Sequence, residues 1–276
     1  MRVTELDYDL PPELIAQHPA EPRDSSRLLV CDRKTHTHQH KHFYDLPDFL
    51  SANDLLVAND TSVINARLHG HKPTGGKAEV LLLRKRDAVT WEALVGGRNV
   101  KQVTFDGGIT AEVSEQPEQA TFLVRFSEPI EPHLSTLGET PLPPYIHEKV
   151  SDPQRYQTVY ARVAGSAAAP TAGLHFTPQL IERVRSLGVR VAFVTLHVGL
   201  DTFKPIDEDE VEAHKIHTEW CELPQATADA INETRQRGGR VIAVGTTSAR
   251  TLESCYVARL SGETTSTSQP RNVATL

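Results

Sequence analysis

Two histidines, a pair of threonines and an arginine sit in three short runs of small residues. "SAAAPTAGLHFT" (166–177) carries Thr171, Gly173 and His175, "TLHVG" (195–199) carries His197 and Gly199, and "GTTSAR" (245–250) carries Thr246, Thr247 and Arg250. Histidine titrates near neutral pH and moves protons in either direction. His175 and His197 are therefore the leading base or acid candidates, and each has a second reading as a core histidine that orients a loop. Glycines let a ligand approach the backbone closely, and the open N–H groups of a helix start hold anions. Thr246 and Thr247 suit a carboxylate or a ribose, and Arg250 suits a carboxylate or a phosphate. The alternative there is an ordinary helix start beside a surface arginine.

Other groups extend the candidate site. In "LLVANDTS" (55–62), Asn59 and Asp60 follow a buried strand. Asp60 can orient a histidine or hold ribose hydroxyls, or simply close an Asx turn. Lys77 in "TGGK" can meet a phosphate, but the loop is too short for a P-loop and also reads as a hairpin turn. "HKIHTE" (214–219) offers His217 and Glu219 as polar site groups. A helical H-x-x-H can ligate zinc, but "TEWCEL" alternates like a strand, so no metal is expected. His36, His38, His40 and His42 in "HTHQHKH" share one face if extended, which marks an exposed strand.

These residues need elements to position them. From Ala66 to Phe126 the chain reads as "ARLHGH", "AEVLLLRKR", "TWEALVGG", "KQVTFD", "ITAEVS" and "ATFLVRF", short strands divided by Gly, Asp and Pro. This predicts a small all-β barrel. After Ser151 the rhythm changes. "TPQLIERVRSLG" has Thr177 as N-cap, Pro178 at the first helical position and Gly188 as the stop. It leads into the buried strand "VRVAFVTLHVG", and "PQATADAINETRQRGG" with "RVIAVG" repeats the unit. Helix and strand in alternation predict an α/β layer or barrel, with "RLLVCD" and "DLLVAND" as further strands of its sheet. The β-rich segment is then an insertion, 61–144, in a discontinuous α/β domain of 1–60 and 145–276. The Ser/Thr-rich tail is expected to be poorly ordered.

Composition bounds the rest. A chain of 276 residues, 38% hydrophobic and 24% charged, belongs among folded soluble proteins. The N-terminus does not read as a signal peptide, and no apolar run reaches membrane-spanning length. The three cysteines form no C-x-x-C pair, so a reducing cytoplasm fits. The net charge of −7 argues against indiscriminate nucleic-acid binding. Its distribution is uneven, with eight Lys/Arg against three acids between Thr61 and Phe105. Arg84, Lys85 and Arg86 lead this basic segment, which suits either a local polyanion contact or a solvated surface.

The ordered segments "LDYDLPPELIAQHPAEPRDSSRLLV" (6–30), "LLVANDTSVINARLHGHKPTGGKAEVLLL" (55–83), "LPPYI" (142–146), "RYQTVYA" (155–161), "APTAGLHFT" (169–177), "TLHVGLDTFKP" (195–205), "HKIHTE" (214–219) and "VIAVGTTSARTLES" (241–254) span nearly the whole chain. Together they resemble the S-adenosylmethionine:tRNA ribosyltransferase-isomerase family of queuosine biosynthesis. The resemblance implies an α/β barrel-like domain, incomplete at its C-terminal end here, with an inserted small β-barrel. It implies transfer and isomerisation of the ribosyl group of S-adenosylmethionine, the co-substrate, onto 7-aminomethyl-7-deazaguanine in a tRNA with a GUN-type anticodon. Adenine and methionine leave, the product is epoxyqueuosine-tRNA, and neither a metal nor a membrane is involved. The family continues past "TLES" with further α/β units, so the chain reads as C-terminally truncated. The family usually has Arg where Ser62 stands, so a tRNA contact through that Arg would be missing. The oligomeric state is open, a monomer included.

Such chemistry needs a base for a proton beside the sulfonium and a donor near the departing adenine. His175, His197 and Asp60 would be catalytic. Thr171, Gly173, Gly199, Thr246, Thr247 and Arg250 would hold the co-substrate. Asn59, Lys77, Arg84, Lys85, Arg86, His217 and Glu219 would meet the tRNA base and backbone. The competing readings are a non-catalytic RNA- or cofactor-binding paralogue and, more remotely, a metal-dependent hydrolase.

Overall fold

Gly70 shows why one part of the chain closes on itself. A Cβ there would stand 2.5 Å from Val103 Cγ1 and 2.8 Å from the Thr104 carbonyl, so only glycine lets the first and last strands of a ring meet. The computed structural model describes residues 1–116, 121–148, 152–199, 208–213 and 219–260, leaving out the side chains of 257–260. Its strands are β1 (Arg27–Asp32), β2 (Thr37–His42), β3 (Leu55–Asn59), β4 (Thr61–Val63), β5 (Arg67–His71), β6 (Lys77–Lys85), β7 (Thr90–Gly96) and β8 (Gln102–Thr104). They continue with β9 (Thr110–Gln116), β10 (Thr121–Phe126), β11 (Gly138–Glu139), β12 (Val163–Ser166), β13 (Arg190–His197), β14 (Trp220–Glu222) and β15 (Val241–Val244). The helices are α1 (Leu134–Leu137), α2 (Pro178–Ser186), α3 (Gln225–Gln236) and α4 (Thr246–Leu260).

The six expected strands between Ala66 and Phe126 are all present. They run β5-β6-β7-β10-β9-β8, and β8 returns to β5, so the ring is closed. Inward residues alternate along each strand and fill it with Leu68, Val80, Leu82, Ala93, Val103 and Val124. A closed ring leaves no edge within its circuit.

The second sheet has the order β14-β13-β3-β15. β3 is parallel to both β13 and β15, and β14 is antiparallel at one edge. Both faces are covered, which is why β3 is apolar from Leu55 to Ala58. Leu56 faces α2 through Phe176, Leu180, Ile181 and Val184, while Leu55, Val57 and Val194 face Ile231 of α3 and Leu252 of α4. Full burial of a side chain such as Leu55 stabilises by about 1.5–3 kcal/mol. Thr177 caps α2 by accepting from the Leu180 N–H at 3.1 Å, and Gly188 takes φ +84° just past its end.

One expectation changes and another, the α/β barrel, is not confirmed. The α/β part does not close among the described residues. Its four strands form an open sheet, and four strands twisting by about 20–25° each cannot complete a barrel. "RLLVCD" is not in that sheet either. Among the described residues it pairs only with "THQHKH", as the hairpin β1–β2. All six residues of β2 are exposed, so this hairpin has no second apolar face for a central position. The Ser/Thr-rich tail lies outside the described residues.

Candidate active site

The carboxyl ends of β3 and β13 lie side by side, where α/β sheets place their ligands. From the end of β3 the chain turns through Asp60 into β4, which runs parallel to β12. This crossover faces the barrel across a cleft of about 1090 Å³. His197, Gly199, Glu219, Trp220 and Gly165 line one side, and Arg84, Lys85, Arg86 and Trp91 line the other.

His197 is the most constrained group there. Its ring stacks on Trp220 with centroids 4.7 Å apart and planes 20° apart. Its Nδ1 lies 2.7 Å from Thr61 Oγ1. The ring covers Gly165, where a Cβ would come within 2.7 Å of Nε2. Burial lowers its pKa from 6.5 to about 4, against a smaller opposing influence from the Asp60 carboxylate. The imidazole is therefore neutral at neutral pH and able to accept a proton.

Glu219 is largely buried. It accepts from the Gly199 N–H at 2.9 Å and pairs with Arg250 at 2.6 Å. Arg250 thus braces Glu219, and Glu219 in turn holds the loop that follows His197. The barrel cations are also engaged. Lys85 pairs with Glu131, and Arg86 pairs with Glu92 at 2.6 Å. Arg84 has its pKa lowered, first by burial and then by the neighbouring Arg86 charge.

Asn59 and Asp60 are not open to a ligand. The Asn59 amide donates to the Leu196 carbonyl at 2.9 Å and accepts from the Thr61 and Leu196 N–H groups, each at 3.1 Å. Asp60 accepts from Thr195 Oγ1 at 2.7 Å and from Arg162 Nη2 at 2.7 Å. Both side chains are buried, and these contacts bind β3 to β13 and β12. Lys77 stands at the other end of nine-residue β6, roughly 26 Å from Lys85 at about 3.3 Å per residue. His217 lies outside the described residues.

The remaining residues gather at the neighbouring stretch of the same rim. Thr171, Gly173 and His175 belong to the short turn Thr171–His175. A Cβ on Gly245 would stand 3.1 Å from Ala172 Cβ, which puts the start of α4 beside this turn. Gly173 packs where a Cβ would meet the Tyr160 hydroxyl at 2.2 Å. Thr246 is exposed at the first turn of α4, and Thr247 Oγ1 is buried with no hydrogen-bond partner among the described residues. His175 does not line the cleft. Its Nδ1 is 3.1 Å from the Ala172 carbonyl, and its ring lies 5.2 Å from Phe43. Among the described residues, no three His, Cys, Asp or Glu side chains converge to hold a metal ion.

Thr61, Gly165, Gln157 and Trp220 are the functional neighbours that sequence reasoning left without a role. Gln157 bridges the crossover, accepting from the Val63 N–H at 3.0 Å and donating to the Val63 carbonyl at 2.7 Å. Thr61 was visible as a strand-end polar residue and Gly165 as the start of the small-residue run. Their shared partner His197 is far away in sequence.

A half-buried, neutral histidine at the carboxyl end of a parallel sheet, facing cations across a cleft, defines an enzyme of the α/β kind with a site for an anionic or polar ligand. The sequence profile of the family described as "Queuosine biosynthesis protein" matches residues 3–274. The chain is 51% identical over 267 residues to the S-adenosylmethionine:tRNA ribosyltransferase-isomerase of Moorella thermoacetica, covering 94% of this chain and 78% of that protein. It is also similar to the crystal structure of the S-adenosylmethionine tRNA ribosyltransferase of Thermotoga maritima, with 35% identity, coverage of 92% and 73% of the two chains, and a TM-score of 0.44. The chain belongs to the queuosine biosynthesis family, that of the S-adenosylmethionine:tRNA ribosyltransferase-isomerases.

Proposed function

We propose that this chain transfers and isomerises the ribosyl group of S-adenosylmethionine onto 7-aminomethyl-7-deazaguanine at the wobble position of a GUN-type tRNA anticodon, in the cytoplasm, giving epoxyqueuosine-tRNA with release of adenine and methionine. The observation that carries the reading is the cleft, which sets His197, Gly199 and Glu219 opposite Arg84, Lys85 and Arg86. Segment 61–144 is read as the inserted RNA-facing domain between 1–60 and 145–276.

The residues fit a nucleoside sulfonium with a carboxylate tail. The first turn of α4 offers open N–H groups, and Thr247 Oγ1 is a buried hydroxyl without a partner among the described residues. Thr246, Thr247, Thr171 and Gly173 hold the amino-acid end there. His197 stands roughly 10 Å away, two strand spacings along the rim, and receives the proton next to the sulfonium. Glu219 fixes the loop at Gly199, and Arg250 fixes Glu219. The barrel cations meet the anticodon backbone while the wobble base is turned out into the cleft.

Adenine release from S-adenosylmethionine in the presence of precursor-bearing tRNA tests the reaction. Reversing Arg84, Lys85 and Arg86 to glutamate should weaken tRNA binding and flatten its salt dependence, measured by titration at several ionic strengths. An unchanged salt slope moves the RNA surface elsewhere. No adenine release from the wild-type chain favours a non-catalytic RNA- or cofactor-binding paralogue.

A further inference from the structure

The ring of His197 is held from three sides, and only one of these contacts can carry a proton. Trp220 and Gly165 contact the ring without a hydrogen bond. Thr61 supplies the polar contact, with Oγ1 2.7 Å from Nδ1. The same hydroxyl has a second neighbour, the Val163 carbonyl at 3.4 Å. A carbonyl only accepts, and a threonine has one proton to give. If Thr61 donates to that carbonyl, its oxygen is left to accept, and the donor must be the Nδ1–H of His197. The opposite arrangement would put the ring proton on Nε2. Among the described residues Nε2 has no protein acceptor and its residue lines the cleft, so only the Nδ1–H arrangement pairs both protons within the protein. Both carboxylates near the ring are already engaged. Asp60, at the β3–β4 crossover, is paired with Arg162, and Glu219, beside Trp220, is paired with Arg250.

We propose that Thr61 is a positioning residue that fixes His197 in its Nδ1–H tautomer and thereby presents Nε2 as the bare proton acceptor of the cleft. Gly165 and Trp220 hold the ring in the orientation this requires. A hydrogen bond on one ring nitrogen sets the state of the other, and threonine does here what a carboxylate or backbone carbonyl does beside other histidines. The tautomer stands on the geometry alone. Its consequence for turnover rests on the cleft being the reaction site.

The test is the ¹⁵N spectrum of the His197 ring in ligand-free protein, assigned with His197→Gln, for the wild type, Thr61→Val and Thr61→Ser. The wild type should show a protonated Nδ1 and a bare Nε2. Thr61→Val should move the ring toward the Nε2–H form, and Thr61→Ser should restore it. Adenine release should fall by about tenfold or more in Thr61→Val, in kcat rather than in KM, and recover in Thr61→Ser. A wild-type proton on Nε2 overturns the proposal without any variant. So do unchanged ring shifts in a folded Thr61→Val protein. Shifts as expected with full turnover overturn Nε2 as the acceptor and leave the tautomer standing. A wild type with no adenine release but the expected spectrum instead overturns the proposed function.

Discussion

At its two ends the four-stranded sheet uses polar side chains in opposite ways. At the amino end of β3, Asp54 accepts from the Ser51 N–H at 2.8 Å, from the Arg240 N–H and Nε at 3.1 Å each, and from Arg240 Nη2 at 2.5 Å. The carboxylate is buried and its valence is filled. Its pKa is lowered, chiefly by the Arg240 guanidinium. At the carboxyl end, Asn59 and Asp60 brace the strands in the same closed manner, but they frame groups left open. Nε2 of His197 and Oγ1 of Thr247 have no protein partner among the described residues. The lesson is that open groups are kept at one end because the other is locked. A site whose atoms are unsatisfied costs stability, and the offset comes from a fully satisfied buried carboxylate at the other end of the sheet.

The largest expected effect tests that division directly. Asp54→Ala removes the buried carboxylate shared by the Ser51 N–H, the Arg240 N–H and the Arg240 guanidinium and should destabilise the protein by about 1.5–3 kcal/mol, read by denaturant unfolding. Turnover per folded molecule should stay within about twofold, since the lock lies at the far end of β3. A comparable loss of turnover in the folded fraction would break the comparison and show that the two ends act as one unit.

Acid sharpens the contrast. Burial pulls the His197 pKa from 6.5 down to about 4, so the unfolded chain takes up the proton first as pH falls. The stability carried by the neutral ring is complete above pH 6.5 and is lost as pH drops from 6.5 toward about 4. Asp54 also has a lowered pKa, from the ordinary 3.8, so its contribution is lost only at lower pH. His197→Gln should therefore flatten the stability profile between pH 6.5 and about 4, whereas Asp54→Asn should flatten it only further into acid. Melting temperatures taken at steps across this range separate the two. Equal flattening by both variants in the upper window would show that His197 does not titrate as a buried group.

How much of this was legible in the sequence depends on the range of the interaction that decides it. The barrel strands were visible because alternation is local. So was α2, whose cap, first-turn proline and stopping glycine lie within twelve residues, Thr177 to Gly188. Ring closure at Gly70 against Val103 and the lock of Asp54 on Arg240, 186 residues apart, were not. Nothing in "SANDLL" distinguishes that aspartate from a turn residue. The site was legible in part for the same reason. His197, Gly199 and Glu219 stood out by type and placement at strand ends. Asn59 and Asp60 looked equally open, but β13, Thr61 and Arg162 engage both side chains. Lys77, Arg84 and Lys85 belong to one strand, with Arg86 just past its end, and only the direction of that strand shows which end meets the cleft.

The smallest effect is expected at His175, although His175 and His197 look equivalent in sequence. Both follow a leucine, and both precede a segment with helix or strand signals. The structure gives them different surroundings. The Ala172 carbonyl can only accept, so His175 donates to it from Nδ1 within its own turn. The ring also packs against Phe43, which in turn contacts Phe176 of the α2 face. Such a residue holds the turn Thr171–His175 in shape. Removing it forfeits one hydrogen bond and one ring contact, and His175→Ala should cost about 1–2 kcal/mol in thermal or denaturant unfolding. Turnover should drop by less than about tenfold, through a looser turn beside Thr246 and Thr247, whereas His197→Ala should drop it by about a hundredfold or more. Adenine release under saturating tRNA, corrected for the folded fraction, reads both variants side by side. If His175→Ala shows the larger loss, the proton is moved at the turn rather than at the end of β13. The open chemistry of the rim would then be centred on α4 instead of on the barrel cleft.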